Sequence, residues 1–349
     1  MDALIYPWQQ QSWQQLQQLR LRLPHAILFH GAEGIGKLVF VEKFAQSLLC
    51  ESTHSNGHAC GTCAACGWFL QYGHPDYRRV RPEALDEGDA DDNTATEEEP
   101  AAKKSSASAR NPSKDIRIEQ VRSLATFMNV STHRSGLRVV MLYPAEALNS
   151  ASANALLKTL EEPPPATVFL LISHRPERLL PTILSRCRKF AMGMPSAADA
   201  LAWLKTEAVN DADRWLAEQG GAPLAALAAA QSGAAEGHDD LLTQFARPDM
   251  ATALSVAERL QKIPLSSLVA WQQRWLYDLL LVKLCAKVRY YPRYQQVLTA
   301  LAATVPVARL QQALRNAGER RAVADHPLSA RLFIEDMLLE YTQIFSHTE

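Results

Sequence analysis

The 349-residue sequence predicts an α/β domain built on a parallel sheet, continued by a purely helical region. Three observations carry this. A glycine-rich turn, GAEGIGKL at 31–38, follows an apolar run and opens a helical pattern. Two continuous apolar runs, LRVVML at 137–142 and TVFLLIS at 167–173, flank a second helical pattern. Strand signals then vanish in the last third of the chain, where only helical spacing remains.

Each element has its own justification. The run 26–30 reads as a buried strand leading into the glycine turn, and 37–50 carries apolar residues at 38, 41, 44, 45, 48 and 49, which is helical spacing. The runs at 137–142 and 167–173 suit strands buried on both faces of a parallel sheet. Between them, Ala153, Leu156, Leu157 and Leu160 share one helix face, Asn149 is placed to cap its start, and three prolines stop it. Strand, helix, strand in this order defines the α/β domain. Beyond a softer break at 231–240 (QSGAAEGHDD), the segments 251–262, 265–287, 294–303, 307–316 and 329–345 all read as amphipathic helices. Trp271, Trp275 and Leu279 fall on one stripe, which reads as core rather than interface.

Composition narrows the class. Hydrophobic residues make up 47% and charged residues 21%, as in a folded soluble protein of two or three domains. The formal net charge of −1 hides an asymmetry: residues 83–115 hold ten acidic side chains against four basic ones, leaving the remainder at about +5. That is too weak a positive balance to indicate nucleic-acid binding by itself. The stretch 83–114 is almost without large apolar side chains and is predicted to be a disordered, solvated insertion. The start of the sequence has neither a basic cluster nor an apolar run, and the apolar segment at 265–285 is interrupted by Gln272, Gln273, Arg274 and Asp278. No signal peptide, no membrane span and a cytoplasmic location are expected.

The glycine turn matches the phosphate-cradling pattern G-x-x-x-x-G-K-[ST] except at its end. Gly31, Gly34 and Gly36 allow backbone N–H groups to turn inward and Lys37 would reach the phosphates, but Leu38 stands where a hydroxyl should hold Mg²⁺. A weak nucleotide site and a relic are both consistent with the loop alone. The strand at 137–142 decides against hydrolysis, because Tyr143, Pro144 and Ala145 follow it instead of the acidic pair that would hold the metal and activate water. Glu146 lies beyond the strand end and is expected to point elsewhere.

Cys50 is followed, after nine intervening residues, by Cys60-x2-Cys63-x2-Cys66. Four thiolates within seventeen residues suit one tetrahedral structural zinc ion. Reduced structural cysteines and an iron–sulfur centre are the minor alternatives, and His54 and His58 are nearby substitutes as ligands. Cys187 and Cys285 read as buried hydrophobes. Arg186, taken alone, reads as a helix cap or the partner of a nearby carboxylate.

The stretch NALLKTLEEPPPATVFLLISHRPERLLPTILSRC at 154–187 resembles the clamp-loader subunits of the AAA+ family, the delta-prime type of the bacterial DNA polymerase III complex above all. The likeness extends to YPW at 6–8, HAILFHGAEGIGK at 25–37, the four cysteines, HPD at 74–76 and IRIEQVRSL at 116–124. It covers most of the first 190 residues, and in the helical last third it is one of pattern only. The resemblance implies an AAA+ P-loop domain over 1–192 with a zinc hairpin at about 50–66, a small helical lid over 193–236 and an all-α collar over 237–349. It implies that Arg186 reaches across a subunit boundary to the γ-phosphate of a neighbour's ATP, and that Cys50, Cys60, Cys63 and Cys66 hold structural Zn²⁺. The implied partners are gamma/tau ATPase subunits and a delta subunit in a hetero-pentameric ring, with the sliding clamp and primer–template DNA reached through that complex. Leu38, Tyr143 and Pro144 depart from the gamma/tau-type motor, and so does Leu224 in GGAPLAAL, near which the motor would carry a lid arginine. These departures favour a non-hydrolysing delta-prime subunit over the motor. A free-standing DNA-binding zinc module is disfavoured by the scarcity of basic residues beside the cysteines.

Overall fold

The computed structural model describes residues 5–86, 112–129, 132–133, 136–232, 235–324, 326 and 329–345. It divides into two compact units, Met1–Met194 and Pro195–Glu349.

The first unit is built on a five-stranded parallel sheet. Its strands are β1 (Ala26–His30), β2 (Tyr77–Val80), β3 (Arg138–Leu142), β4 (Thr167–Ser173) and β5 (Arg188–Ala191), in the order β2-β3-β4-β1-β5. The register sets Ile27 beside Leu170 on one side and Arg188 on the other, and Val140 beside Phe169. The three inner strands are those with continuous apolar runs, and they are buried almost throughout. The edge strands β2 (YRRV) and β5 (RKFA) were not among the expected strands. An edge strand needs fewer apolar residues because one side or face meets solvent, and β5 is largely exposed.

Helices cover both faces. Alternate strand residues Ala26, Leu28, Val140, Leu142, Phe169 and Leu171 face α5 (Ile118–Asn129), α6 (Ser150–Glu161) and α7 (Pro181–Arg186) through Leu124, Leu156, Leu160 and Ile183. On the opposite face Phe29 meets Phe40 and Phe44 of α2 (Lys37–Leu49), and both rings also meet Trp13 of α1 (Gln10–Arg20). Asn149 caps α6 as its sequence predicts, its side chain accepting from the Ser152 N–H at 2.9 Å.

The acidic insertion predicted over 83–114 is narrower at both ends than expected. Glu83–Asp86 forms a short helical turn, α4, and its Ala84 N–H donates to Ser113 O at 3.1 Å. The Glu83 carboxylate accepts from the Ser113 N–H at 3.3 Å and pairs with Arg117 at 2.9 Å. Local hydrogen bonding and an ion pair order these residues, where apolar burial was the only criterion the composition offered. The rest of the predicted insertion, 87–111, lies outside the described residues.

The second unit is helical. Helices α8 (Ala197–Thr206), α9 (Ala212–Glu218) and α10 (Pro223–Gln231) enclose a small core of Ala200, Leu204, Trp215, Leu216 and Ala226. A larger core gathers residues of α11 (Ala235–Ala246), α12 (Met250–Leu260), α13 (Leu265–Cys285), α14 (Gln295–Thr304), α15 (Val307–Val323) and α16 (Ala330–Gln343). The break expected at 231–240 is shorter than expected, because α11 begins at Ala235. Its polar first turn looked like a linker, yet Leu241, Leu242 and Phe245 are buried. Trp275 and Leu279 are fully buried and Trp271 packs against them, so the tryptophan stripe is core. Among the described residues no single helix is long and apolar enough to cross a membrane.

Asp278, on α13, is a buried carboxylate with a definite task. It accepts from the N–H groups of Arg289, Tyr290 and Tyr291 at 2.8–3.2 Å, fixing the turn that leads out of α13. Burial pushes its pKa up and the three N–H donors oppose that rise. Asp278→Ala leaves three inward N–H groups without their acceptor and is expected to cost about 3–5 kcal/mol. Chemical denaturation followed by tryptophan fluorescence measures this, and a loss below ~1 kcal/mol would show that water replaces the carboxylate without penalty.

Candidate functional site

The glycine loop lies between β1 and α2, at the C-terminal edge of the sheet where parallel α/β folds place their ligands. Gly36 has φ +86°, and a Cβ there would lie 2.5 Å from the Tyr6 ring. At Gly31 a Cβ would lie 2.3 Å from Met192 O. Side chains from the start of the chain brace the loop from behind. Trp8 Nε1 donates to Ile35 O at 3.0 Å, and Gln9 Nε2 donates to Ile35 O and Gly36 O at 3.1 and 3.0 Å. Sequence reasoning gave Tyr6, Trp8 and Gln9 no such role. Their contacts cross about 27 positions, and no local pattern encodes them.

Lys37 is turned onto its own loop. Its Nζ donates to Gly31 O at 2.9 Å and Ala32 O at 2.6 Å, and the residue is only 2% exposed. Burial lowers its pKa to about 8, against the opposing pull of Glu146 and Glu33. Leu38 follows it on α2 and offers no metal ligand.

The end of β3 differs from expectation in one respect. Tyr143 and Pro144 do follow the strand, but Glu146 does not point away. Its Oε1 accepts from the His174 N–H beyond β4 at 2.9 Å, and its charge acts on both Lys37 and Tyr143. Residues 145–147 form a single 3-10 turn, which swings the carboxylate back toward the sheet edge. His174 completes the cluster, with Nε2 at 3.3 Å from the Tyr143 hydroxyl, while burial followed by Lys37 lowers its pKa.

Arg186 ends α7 between two anchors, Ile183 (0% exposed) and Cys187 (8%). Burial pushes the Cys187 thiol up to about 11, so the neutral thiol acts as a small apolar plug. The Arg186 guanidinium is half-buried. Nη2 donates to Glu161 Oε1 at 2.5 Å and Nη1 to Thr182 O at 3.0 Å. A carboxylate partner is what residue-level reading anticipates for an arginine here, although the sequence did not identify Glu161 as that partner.

The four cysteines come together. Cys50 follows α2, Cys60 lies in the loop beyond it, Cys63 caps α3 (Ala64–Leu70) and Cys66 lies within α3. Their Sγ atoms all lie within 4.8 Å of one another, with Cys50 at 3.5 Å from Cys60 and 3.9 Å from Cys63. Bonds of about 2.3 Å in a tetrahedron place sulfurs about 3.8 Å apart, so the donor set fits one metal ion. A polynuclear iron–sulfur cluster spreads its sulfurs over several metal atoms and needs wider spacing. Backbone N–H groups of Cys60, Cys63 and Cys66 donate to the sulfurs of Cys50, Cys60 and Cys63, a supporting layer suited to thiolates. N–H donors, that of Thr62 foremost, draw the Cys60 thiol down to about 6, whereas burial pushes Cys66 up. His54 and His58 are not in the cluster, and the His58 ring stacks on Trp13 with centroids 4.2 Å apart.

A phosphate-type loop on a parallel sheet, a four-cysteine cluster at the far end of the helix that the loop opens, and a helical second unit define a P-loop-type α/β protein. The family model described as "DNA polymerase III, delta subunit" matches residues 8–195. The DNA polymerase III subunit delta' of Pseudomonas aeruginosa is 38% identical over 284 residues, which are 80% of this chain and 78% of that protein. The subunit delta' of Haemophilus influenzae is 31% identical over 246 residues, 69% of this chain and 66% of that one. Among solved structures, a DNA polymerase III gamma subunit-related protein from Thermotoga maritima aligns over 97% of this chain and 100% of its own, at 16% identity and a TM-score of 0.43. The chain belongs to the DNA polymerase III delta-prime family of clamp-loader subunits.

Proposed function

We propose that this chain is the non-hydrolysing stator of its clamp loader and supplies Arg186 in trans to ATP held by a neighbouring gamma/tau subunit. A delta subunit completes the pentameric ring, which holds the sliding clamp and primer–template DNA while ATP is bound and releases them on hydrolysis. One contrast carries this reading. The home loop lacks metal ligands at Leu38, Tyr143 and Pro144 and keeps Lys37 on its own carbonyls, while Arg186 stands half-exposed on a rigid helix end. A guanidinium fork suits phosphate oxygens and carries a fixed charge.

The reading includes three further assignments. Cys50, Cys60, Cys63 and Cys66 hold Zn²⁺, whose preference for four thiolates and no open position suits a structural role. Zinc bound there would cross-link the end of α2 to α3. Gly31, Gly34, Gly36 and Lys37 are a vestigial phosphate loop. The chain is organised as a P-loop domain over 1–192, a lid over 193–236 and a collar over 237–349, the last two supported by the separate cores of α8–α10 and α11–α16.

The competing reading is a gamma/tau-type motor. Glu146 favours it, because a carboxylate does lie near Lys37. Steady-state ATPase of the isolated chain separates the two. A stator shows no turnover above background, and Lys37→Ala leaves that background unchanged; turnover abolished by Lys37→Ala would establish a motor. Arg186→Ala in the reconstituted complex tests the donated arginine.

A further inference from the structure

We propose that Glu161 is a positioning residue for Arg186, holding its guanidinium in the orientation that meets the neighbour's γ-phosphate. This deepens the reading of Arg186 as a donated arginine and rests on it.

Glu161 is the last residue of α6, directly after the buried Leu160 (1% exposed) and before Glu162 and Pro163–Pro165. Arg186 is the last residue of α7, directly before the buried Cys187. Each side chain therefore starts from a helix end pinned in the core, and the two helices pack against each other. A carboxylate at a helix C-terminus faces the negative end of the peptide dipoles, which disfavours it. Glu161 occupies that position and its Oε1 lies 2.5 Å from Arg186 Nη2.

The guanidinium is held at three points: Glu161 on Nη2, and Thr182 O at 3.0 Å and Ser185 Oγ at 3.5 Å on Nη1. A guanidinium has five N–H donors. The three contacts fix its plane and leave donors for a phosphate. Both side chains keep solvent access, at 32% for Arg186 and 48% for Glu161, so an incoming subunit can reach the pair. An arginine otherwise carries large rotamer freedom, and ordering it beforehand removes that cost from the transition state. A phosphate has more negative charge than the carboxylate and can engage the remaining donors without breaking the brace.

The test uses the reconstituted complex with its motor and delta subunits, reading clamp- and DNA-stimulated ATP turnover together with assembly by gel filtration. Arg186→Ala defines the arginine-dependent share of turnover. Glu161→Ala is expected to lower that share by about 3- to 10-fold, in kcat rather than in KM for ATP, with assembly unchanged. Glu161→Gln, which keeps an acceptor of the same length, is expected to recover part of the loss. Adding Glu161→Ala to Arg186→Ala is expected to change nothing further, because the carboxylate then has nothing to orient. Unchanged turnover in Glu161→Ala, or an additive loss in the double variant, would overturn the positioning role while leaving the donated arginine standing. Higher turnover in Glu161→Ala would also overturn it, since the carboxylate would then hold the arginine back. If Arg186→Ala itself leaves turnover intact, the donated arginine fails and the role of Glu161 falls with it.

Discussion

Arg186→Ala is expected to leave the reconstituted clamp-loader complex assembled while cutting hydrolysis at the ATP beside this subunit by about 10³-fold or more. The size follows from what the arginine would do. In a largely dissociative phosphoryl transfer, charge spreads over the equatorial oxygens and the leaving group, and a guanidinium supplied by a neighbour stabilises it in a dry interface. The overall rate of the complex is expected to fall less wherever further ATP sites lie away from this subunit. Single-turnover experiments with one active motor site beside this subunit isolate the effect, and clamp-loading assays report its consequence. Arg186→Lys keeps the charge but loses the planar fork, so it is expected to restore only a minor part of the activity. Loading and single-turnover hydrolysis at wild-type rates in Arg186→Ala would remove the donated arginine from the mechanism. The fold is expected to survive because the ion pair of Arg186 with Glu161 is partly exposed, and exposed pairs contribute little to stability.

The second large effect concerns the cysteine centre. Cys60→Ser, or treatment with a strong chelator, is expected to release one zinc ion per chain and to unfold the hairpin between Cys50 and Cys66 while the sheet persists. Structural zinc contributes about 10–16 kcal/mol of apparent binding energy in isolated small domains, so the hairpin has little to replace it. It contributes few buried apolar side chains of its own, mainly Ala59, Ala65 and Cys66. Two further ties limit the damage: the Trp13–His58 stack and the Trp13 Nε1 bond to Asn56 O at 3.0 Å. Limited proteolysis is expected to cut within 51–63 at least ~10-fold faster after metal removal, with the far-UV spectrum little changed. Equal protease resistance with and without metal, measured alongside metal content, would rule out a structural role for the ion.

The inner strands, the helix after the glycine turn, the helix capped by Asn149 and the cysteine cluster were legible in the sequence because each depends on a local pattern. Continuous apolar runs specify strands buried on both faces, and the x2 cysteine spacings place sulfurs on adjacent turns. What escaped depends on contacts between distant segments. The edge strands Tyr77–Val80 and Arg188–Ala191 are strands because β3 and β1 offer them hydrogen bonds, not because their own residues alternate. The return of Glu146 to His174, and the bracing of the loop by Trp8 and Gln9, are likewise set by the packed fold. The start of α11 was missed for a different reason. A polar first turn looks like a linker until Leu241, Leu242 and Phe245 are known to be buried. Within the site, the glycines and the Ser-Arg-Cys segment were visible, but Lys37 satisfying itself on Gly31 and Ala32 was not.

The pairing of Ala84 with Ser113, reinforced by Glu83 with Arg117, has a consequence for what the sheet requires of the segment between them. The chain departs from the domain and rejoins it through neighbouring residues, so the sheet does not register how much polypeptide lies between them. Joining two fixed ends by a longer chain costs little, about 0.6 kcal/mol for each doubling of length. Length at this point is therefore expected to matter little to the stability of the sheet. For the same reason it offers a port through which a reporter domain can be spliced, with the sheet and the Arg186 helix left as they are.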